Sequence, residues 1–408
     1  MLVIYNIGIS IYYLLVHFVS LFDAKAKAIL TGQKQSLQTL KNEQHHEVIW
    51  FHCASVGEFE QGYPLFNKLR NQYPEHEYLI TFYSPSGYQF VREKYPSEWV
   101  LYLPKDTRKN MRFFIEKVKP SLVFVVKYEF WFHLLNELKK KEIPTFLLSG
   151  IFRENQLFFK PIVGTFFSSI LKKFTHLFLQ DISSFELLNS IKINQKTVSG
   201  DTRFDRVLEN KKAPFVDEKI EQFIGDKKVF IVGSCWNEDV DIIESIIKHL
   251  PADWKIILAP HEMNTFKTNW IKESFQYYTS SSKNVESKIL IIDTMGLLSK
   301  VYRFSSLTYI GGGFGKGIHN ILEPAVFENP IFIGPNYRKF NEAKSLIELG
   351  CVFSLSSKNE VPNLIPKIIL NPHKINEIKL KMGSYIQENT SVSDRIIVFL
   401  KEAGYLKL

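Results

Sequence analysis

His52-Cys53-Ala54-Ser55-Val56-Gly57-Glu58 follows a short apolar run, Val48 to Cys53, and sets small residues just ahead of a carboxylate. Small side chains at such a turn let a ligand approach the backbone closely. A carboxylate in the first turn of the next helix can take the proton from an attacking hydroxyl, which is general-base work. It can equally steady the helix N-terminus through the dipole. Lys127-Tyr128-Glu129-Phe130-Trp131 ends a second apolar run, Ser121 to Val126, and offers another carboxylate. Glu129 is read as a substrate-side residue, with a structural ion pair as the competing role.

Tyr309 to Ala325 runs from an apolar segment through five glycines (Gly311, Gly312, Gly313, Gly315 and Gly317) into His319, Asn320, Ile321, Leu322 and Glu323. Backbone N–H groups in such a loop, backed by a helix start, can form an anion site. The Walker spacing fails, because Lys316 is followed by glycine, and the spacing G-x-G-x-x-G is missing too. Glu323 is expected one turn into the helix, where it could accept hydrogen bonds from ribose hydroxyls. Three further turns place small or polar residues after apolar runs: Gly233-Ser234-Cys235-Trp236, Ala259-Pro260-His261-Glu262 and Asp293-Thr294-Met295-Gly296.

Metal chemistry finds little support. Asp239-Val240-Asp241 has the D-x-D form, yet it lies inside a helical stretch, where the two side chains diverge by about 200°. It is read as a solvated helix start. No H-E-x-x-H pair and no G-x-S-x-G elbow occurs.

These residues need rigid elements behind them. Apolar runs at Val48–Cys53, Tyr78–Phe82, Val100–Leu103, Ser121–Val126, Pro144–Ser149 and His176–Leu179 alternate with helical spacing at Glu58–Arg70, Gly87–Lys94 and 107–118. A second series comprises Lys228–Gly233, Trp254–Ala259, Lys288–Asp293, Leu307–Gly311 and Pro330–Ile333. Strand-helix-strand alternation predicts parallel sheets covered on both faces. The expected fold is α/β, with two Rossmann-like doubly wound domains facing a cleft. The predicted division is an anchor helix at 1–22, an N-terminal domain at 23–208, a polar linker at 209–227 and a C-terminal domain at 228–385. Residues 386–408 then form a helix that could cross back to the N-terminal domain. Ligands in such sheets bind beyond the carboxyl ends of the strands.

Leu2 to Phe22 carries no charged residue, and about 30 Å of helix at that length could cross a bilayer core. Asn6, Ser10 and His17 leave room for a helix lying in the interface. Lys25, Lys27 and Lys34 follow directly and place the rest of the chain in the cytoplasm. A net charge of +9 over 408 residues favours acidic partners. An anionic lipid surface and phosphorylated small molecules fit; nucleic acid does not, for the lysines are scattered and no recognition signature appears. Three cysteines, Cys53, Cys235 and Cys351, are too few and too far apart for a disulfide framework.

The order of motifs resembles the bacterial 3-deoxy-D-manno-octulosonic acid (Kdo) transferases. The likeness covers H-x-A-S-x-G-E at 52–58, Glu-aromatic-Trp at 129–131 and Gly200-Asp201-Thr202-Arg203-Phe204-Asp205. It continues through Gly233-Ser234, Asp293-Thr294-Met295-Gly296 and G-x-H-N-x-L-E-P-A at 317–325. It implies a GT-B fold, CMP-Kdo as donor substrate, lipid IVA as acceptor, inner-membrane residence at the cytoplasmic face, and neither metal nor cofactor. Glu58 would be the base, with Ser55, Gly57 and Glu129 on the acceptor side. CMP would lie against Gly233, Ser234, Pro260, His261, Met295, Gly296, Leu297, His319, Asn320, Ile321, Leu322 and Glu323. Two departures stand out. Pro260-His261-Glu262 replaces the family's P-R-H, and Leu297 stands where D-T-x-G-E-L has glutamate. The competing readings are a membrane-associated GT-B enzyme using a UDP-sugar and a non-catalytic nucleotide-binding membrane module.

Overall fold

The computed structural model describes residues 1–41, 45, 47–96, 98–280 and 286–406, and the chain divides into two compact units. One contains Met1–Arg206 together with Thr390–Leu408; the other is Val207–Asn389. The last two residues of the predicted C-terminal helix lie outside the described residues.

The first unit is built on a seven-stranded sheet: β1 (Val48–Cys53), β2 (Tyr78–Phe82), β3 (Trp99–Tyr102), β4 (Pro120–Val126), β5 (Thr145–Gly150), β6 (His176–Leu179) and β7 (Lys196–Val198). Their order is β3-β2-β1-β4-β5-β6-β7, and every pairing is parallel. β1, β2, β5 and most of β4 are buried along their length, which is why they read as unbroken apolar runs rather than alternating ones. Trp50, Val123 and Leu147 enter one core layer, and Phe51, Phe124 and Phe146 the other. Each fully buried large apolar side chain contributes roughly 1.5–3 kcal/mol.

The second unit repeats the plan with β8 (Val229–Cys235), β9 (Lys255–Pro260), β10 (Phe275–Tyr277), β11 (Ile289–Ile291), β12 (Leu307–Ile310), β13 (Ile331–Ile333) and β14 (Val352–Ser354). The order β10-β11-β9-β8-β12-β13-β14 is again parallel throughout. The strand order reverses between β1 and β4 in the first sheet and between β8 and β12 in the second, where β10 and β11 are also exchanged at the edge. Such reversals open a crevice at the strands' carboxyl ends.

Sequence periodicity misses three strands, β7, β10 and β14. Each is an edge strand of three residues, too short to show a period. The polar stretch 209–227, read as a linker, holds the end of a helix at Arg203–Lys212 and all of one at Glu218–Ile224. Ile220, Phe223 and Ile224 of the latter are buried, and both segments beyond Arg206 belong to the second unit.

Leu2–Val19 forms one helix, long and apolar enough by length and composition to cross a membrane. It does not stand free of the first unit. Tyr5 and Tyr13 pack inward on one stripe; the Tyr5 hydroxyl donates to Asp106 at 2.6 Å, and Asn6 Oδ1 lies 2.7 Å from His133 Nε2. Gln33 Nε2 donates to the Tyr13 hydroxyl at 2.9 Å. Ile4, Ile7, Ile11, Leu14, Leu15 and Phe18 are exposed on the remaining surface.

The chain returns to the first unit at its end. Asp205 accepts the Val392 and Ser393 N–H groups at 3.2 and 2.7 Å, and the helix Val392–Glu402 lays Ile396, Ile397 and Leu400 into the layer that holds Phe51.

Candidate active site

Glu58 follows β1 and Glu129 follows β4, so the two predicted carboxylates stand at the reversal of the first sheet. Ser55 caps the helix Val56–Gln72, its hydroxyl accepting the Glu58 N–H at 3.4 Å. The Glu58 carboxylate turns back to accept the Ala54 N–H. Glu58 therefore does support the helix start, as its structural role predicts. Its acidity is nonetheless shifted: burial first, and the Glu129 charge second, push its pKa up to about 7, against the pull of the Ala54 N–H, His52 and Lys127. A base poised near neutral pH suits proton abstraction.

Glu129 is held by Trp131, whose Nε1–H donates to its Oε2 at 2.6 Å; the buried His52 Nε2 lies 3.4 Å from the same oxygen without a hydrogen bond. His52 Nδ1 lies 2.9 Å from Thr81 Oγ1, which also accepts the Trp50 indole N–H. Lys127, between β4 and Glu129, sits at φ +61°, a left-handed conformation costly for a side-chain-bearing residue and concentrated at functional sites. Gly57 is exposed, and a Cβ there would meet only Ser55 Oγ, 4.0 Å away.

In the second unit the glycine loop after β12 meets the turn after β8, again at the sheet's reversal. The contact is backbone against backbone. A Cβ on Gly311 would collide with Cys235 Cα and lie 2.6 Å from the Ser234 oxygen, and one on Gly313 would lie 2.6 Å from Gly334. Ser234, near the end of β8, takes a left-handed φ of +51° where the register against β9 shifts.

Asp239 contradicts the expectation of a solvated helix start. Its side chain is fully buried and accepts three hydrogen bonds: Gly312 N–H at 2.9 Å, Trp236 N–H at 2.8 Å and the Tyr309 hydroxyl at 2.8 Å. Asp241, two residues on, is the solvated member and lies 3.2 Å from Lys358. The D-x-D pair is thus split as the helical geometry requires. Its first carboxylate ties the glycine loop to β8, a tertiary role that spacing could not reveal.

Above this clamp three rings stack. Trp236 and His261 have centroids 4.6 Å apart, and His261 and His319 are 4.2 Å apart. Trp236 Nε1–H donates to His319 Nε2 at 2.8 Å, so that nitrogen is the acceptor and any imidazole proton sits on Nδ1. Burial, aided by His261, lowers the His319 pKa to about 4 and keeps the ring neutral. Trp236 was visible in the G-S-C-W turn but not as a site residue.

Other predicted donor residues are placed differently. The helix behind the glycine loop is a single turn, Leu322–Ala325, so little macrodipole stands behind the proposed anion site. Ile321 and Leu322 are buried in the core, leaving only their backbone to reach a ligand. Glu323 accepts from Asn320 Nδ2 at 3.1 Å, and Asn320 Oδ1 accepts the Leu322 N–H at 3.2 Å. His261 is exposed beside half-buried Pro260, and its N–H donates to the Cys235 carbonyl at 2.9 Å. Met295 and Gly296 occupy an exposed turn after β11, with the Met295 side chain wholly in solvent, while Leu297 starts the helix Leu298–Val301. Gly233 packs against the buried Tyr302 hydroxyl, where a Cβ would not fit.

Residues 31–206 match the family model described as 3-deoxy-D-manno-octulosonic-acid transferase. The chain is 28% identical over 370 residues to the 3-deoxy-D-manno-octulosonic acid transferase of Rickettsia bellii, covering 86% of each chain. It is 26% identical to the enzyme of that name from Aquifex aeolicus, over 82% of this chain and 88% of the other. In fold it is similar to the UDP-GlcNAc 2-epimerase of Neisseria meningitidis, with a TM-score of 0.60, 15% identity and coverage of 88% of this chain and all of the other. With its two doubly wound parallel sheets and this likeness along most of its length, the chain is similar to the bacterial Kdo transferases and is a glycosyltransferase.

Proposed function

We propose that this protein transfers Kdo from CMP-Kdo to lipid IVA in lipopolysaccharide biosynthesis, with inversion and without a metal ion. The observation that carries the reading is the placement of Glu58 and Glu129 together at the β1/β4 reversal, where burial and the Glu129 charge push the Glu58 pKa up to about 7. In the step, an acceptor hydroxyl oxygen bonds to the anomeric carbon of Kdo while the bond from that carbon to the CMP phosphate oxygen breaks. The bonding pair leaves with CMP, and the hydroxyl proton passes to Glu58. The second unit grips the nucleotide. The His319 Nδ1–H supplies a neutral donor suited to a phosphate oxygen, while the Gly311 and Gly312 N–H groups are spent on Gly233 and Asp239 and hold the loop's shape.

The membrane association proposed here uses the helix Leu2–Val19 as an interfacial element at the cytoplasmic face of the inner membrane. Its polar stripe is spent on Asp106, His133 and Gln33, and its exposed stripe is apolar, which supports a helix lying in the headgroup plane. The net charge of +9 adds attraction to anionic lipid.

The test is to incubate the purified protein with CMP-Kdo and lipid IVA and weigh the product by mass spectrometry, with and without EDTA. Addition of at least one Kdo mass in both conditions is expected. No product, or a CMP-Kdo affinity no better than that for a UDP-sugar, sinks the assignment. Glu58→Gln should retain CMP-Kdo binding and lose turnover; a non-catalytic module would be indifferent to the change.

A further inference from the structure

Between the apolar helix and the carboxylate pair runs a strip of aromatic side chains that the reaction as described leaves unused. Tyr12 belongs to the helix Leu2–Val19, is substantially exposed, and shares a short hydrogen bond between its hydroxyl and that of Tyr83. Tyr83 follows β2, and the next residue, Ser84, donates its N–H to the Ala54 carbonyl at 2.9 Å, fixing this turn beside the one that bears Glu58. The Tyr83 ring stacks on Trp131, with centroids 5.9 Å apart and planes 29° from parallel. Trp131 in turn donates its only polar hydrogen to Glu129. Tyr83 and Trp131 are both partly exposed.

The chemistry of such a strip is narrow. With its N–H committed to Glu129, Trp131 can offer a ligand only apolar ring surface, and Tyr83 offers a ring with a hydroxyl already tied to Tyr12. Flat apolar surface beside fixed carboxylates matches an amphipathic sugar ring, whose C–H face seeks aromatic cover and whose hydroxyls seek acceptors. Gly57, exposed and with open space around its α-carbon, lies one residue before Glu58 and would leave the approach clear.

We infer that Tyr83 and Trp131 form a saccharide platform, seating the acceptor's sugar between the membrane-facing helix and Glu58. This rests on the proposed Kdo transfer and adds to it the residues that bring an amphipathic glycolipid's hydroxyl to the base. The acyl chains then stay with the lipid along the exposed side of Leu2–Val19, and the headgroup crosses the strip. Tyr12 registers the helix against the platform through the shared hydroxyl contact.

The experiment uses the full-length protein in lipid nanodiscs with CMP-Kdo and two acceptors, intact lipid IVA and its de-acylated sugar phosphate. Tyr83→Leu is expected to raise the KM of both acceptors about three- to tenfold, the scale of one lost aromatic contact, with the KM of CMP-Kdo unchanged. Tyr83→Phe, which keeps the ring, should restore the KM of the de-acylated acceptor to the wild-type value. Unchanged acceptor KM values overturn the platform. So does an effect confined to the acylated acceptor, which would make the strip a seat for the helix alone, or an equal rise in the donor KM. Should Tyr83→Leu fail to fold, saturation transfer from aromatic protons of the wild-type protein to the de-acylated acceptor decides the matter. Transfer to sugar ring protons supports the platform, and its absence refutes it. Wild-type protein that makes no product from CMP-Kdo sinks the proposed function instead, and the saturation-transfer result still judges the platform separately.

Discussion

Asp239 accepts the Gly312 N–H at 2.9 Å, joining the turn after β8 to the glycine loop after β12 through one buried carboxylate. Burial pushes the Asp239 pKa up, and the three donors it satisfies pull the other way. Asp239→Ala would orphan two backbone N–H groups and the Tyr309 hydroxyl, at a cost of about 2–4 kcal/mol. Chemical denaturation should show that loss. Kinetics should show a higher KM for CMP-Kdo and an unaltered KM for the acceptor. A normal donor KM would mean that the glycine loop does not serve the nucleotide.

The pH profile follows from the carboxylate pair. A base works ionised, so kcat/KM should climb as pH rises through about 7 and then level off. Glu129→Gln removes the second-largest cause of the raised Glu58 pKa, so the acidic limb should move to lower pH, even if the maximum rate falls. Stability runs in the opposite direction. Because the folded state holds the Glu58 proton more tightly than the unfolded chain, this residue's contribution is present below about 4.5 and is lost as pH rises through about 7. Glu58→Gln should accordingly gain more stability over wild type at pH 8 than at pH 5, read by thermal melts at the two values.

Two glycines should answer differently to alanine. At Gly57 a methyl group meets only Ser55 Oγ at 4.0 Å, so Gly57→Ala should fold with nearly the wild-type Tm. At Gly311 it collides with the β8 backbone, and Gly311→Ala should lose about 1–3 kcal/mol, as overpacked sites do. Equal melting temperatures for the two variants would contradict the backbone contact between the glycine loop and β8.

The disposition of the first helix can be measured with tryptophan and brominated lipids. Single tryptophans at Ile7, Leu14 and Phe18, all exposed, should be quenched by shallow bromines to a similar degree if the helix lies in the headgroup plane. A graded depth along the three positions would indicate a spanning helix and a loss of the Tyr5–Asp106 bond.

Much of this architecture was legible in the residues alone, for identifiable reasons. Strands such as Val48–Cys53 and Tyr78–Phe82 are buried on both faces, so an unbroken apolar run locates them to the residue. Glu58 and the glycine loop were legible because a strand-then-small-residue pattern places them at carboxyl ends, and Glu129 because it is a carboxylate closing an apolar run. The three-residue edge strands were not, having no room for a period. Asp239 was misread because its partners Tyr309 and Gly312 lie 70 and 73 residues further along the chain, and a local pattern of alternate acids says nothing about them. Tyr83 was passed over for a similar reason. Its neighbours Tyr12 and Trp131 come from a helix and a turn far away in sequence.

The helix Val392–Glu402 carries a lesson about synthesis. A nascent polypeptide released at residue 389 would possess every strand of both sheets, yet the layer around Phe51 and Phe146 would lack Ile396, Ile397 and Leu400. Asp205 would also be left with no Val392 or Ser393 amide to receive. Premature stop codons near the end of the gene should therefore cripple the half of the protein that the ribosome makes first, and spare the half it makes last.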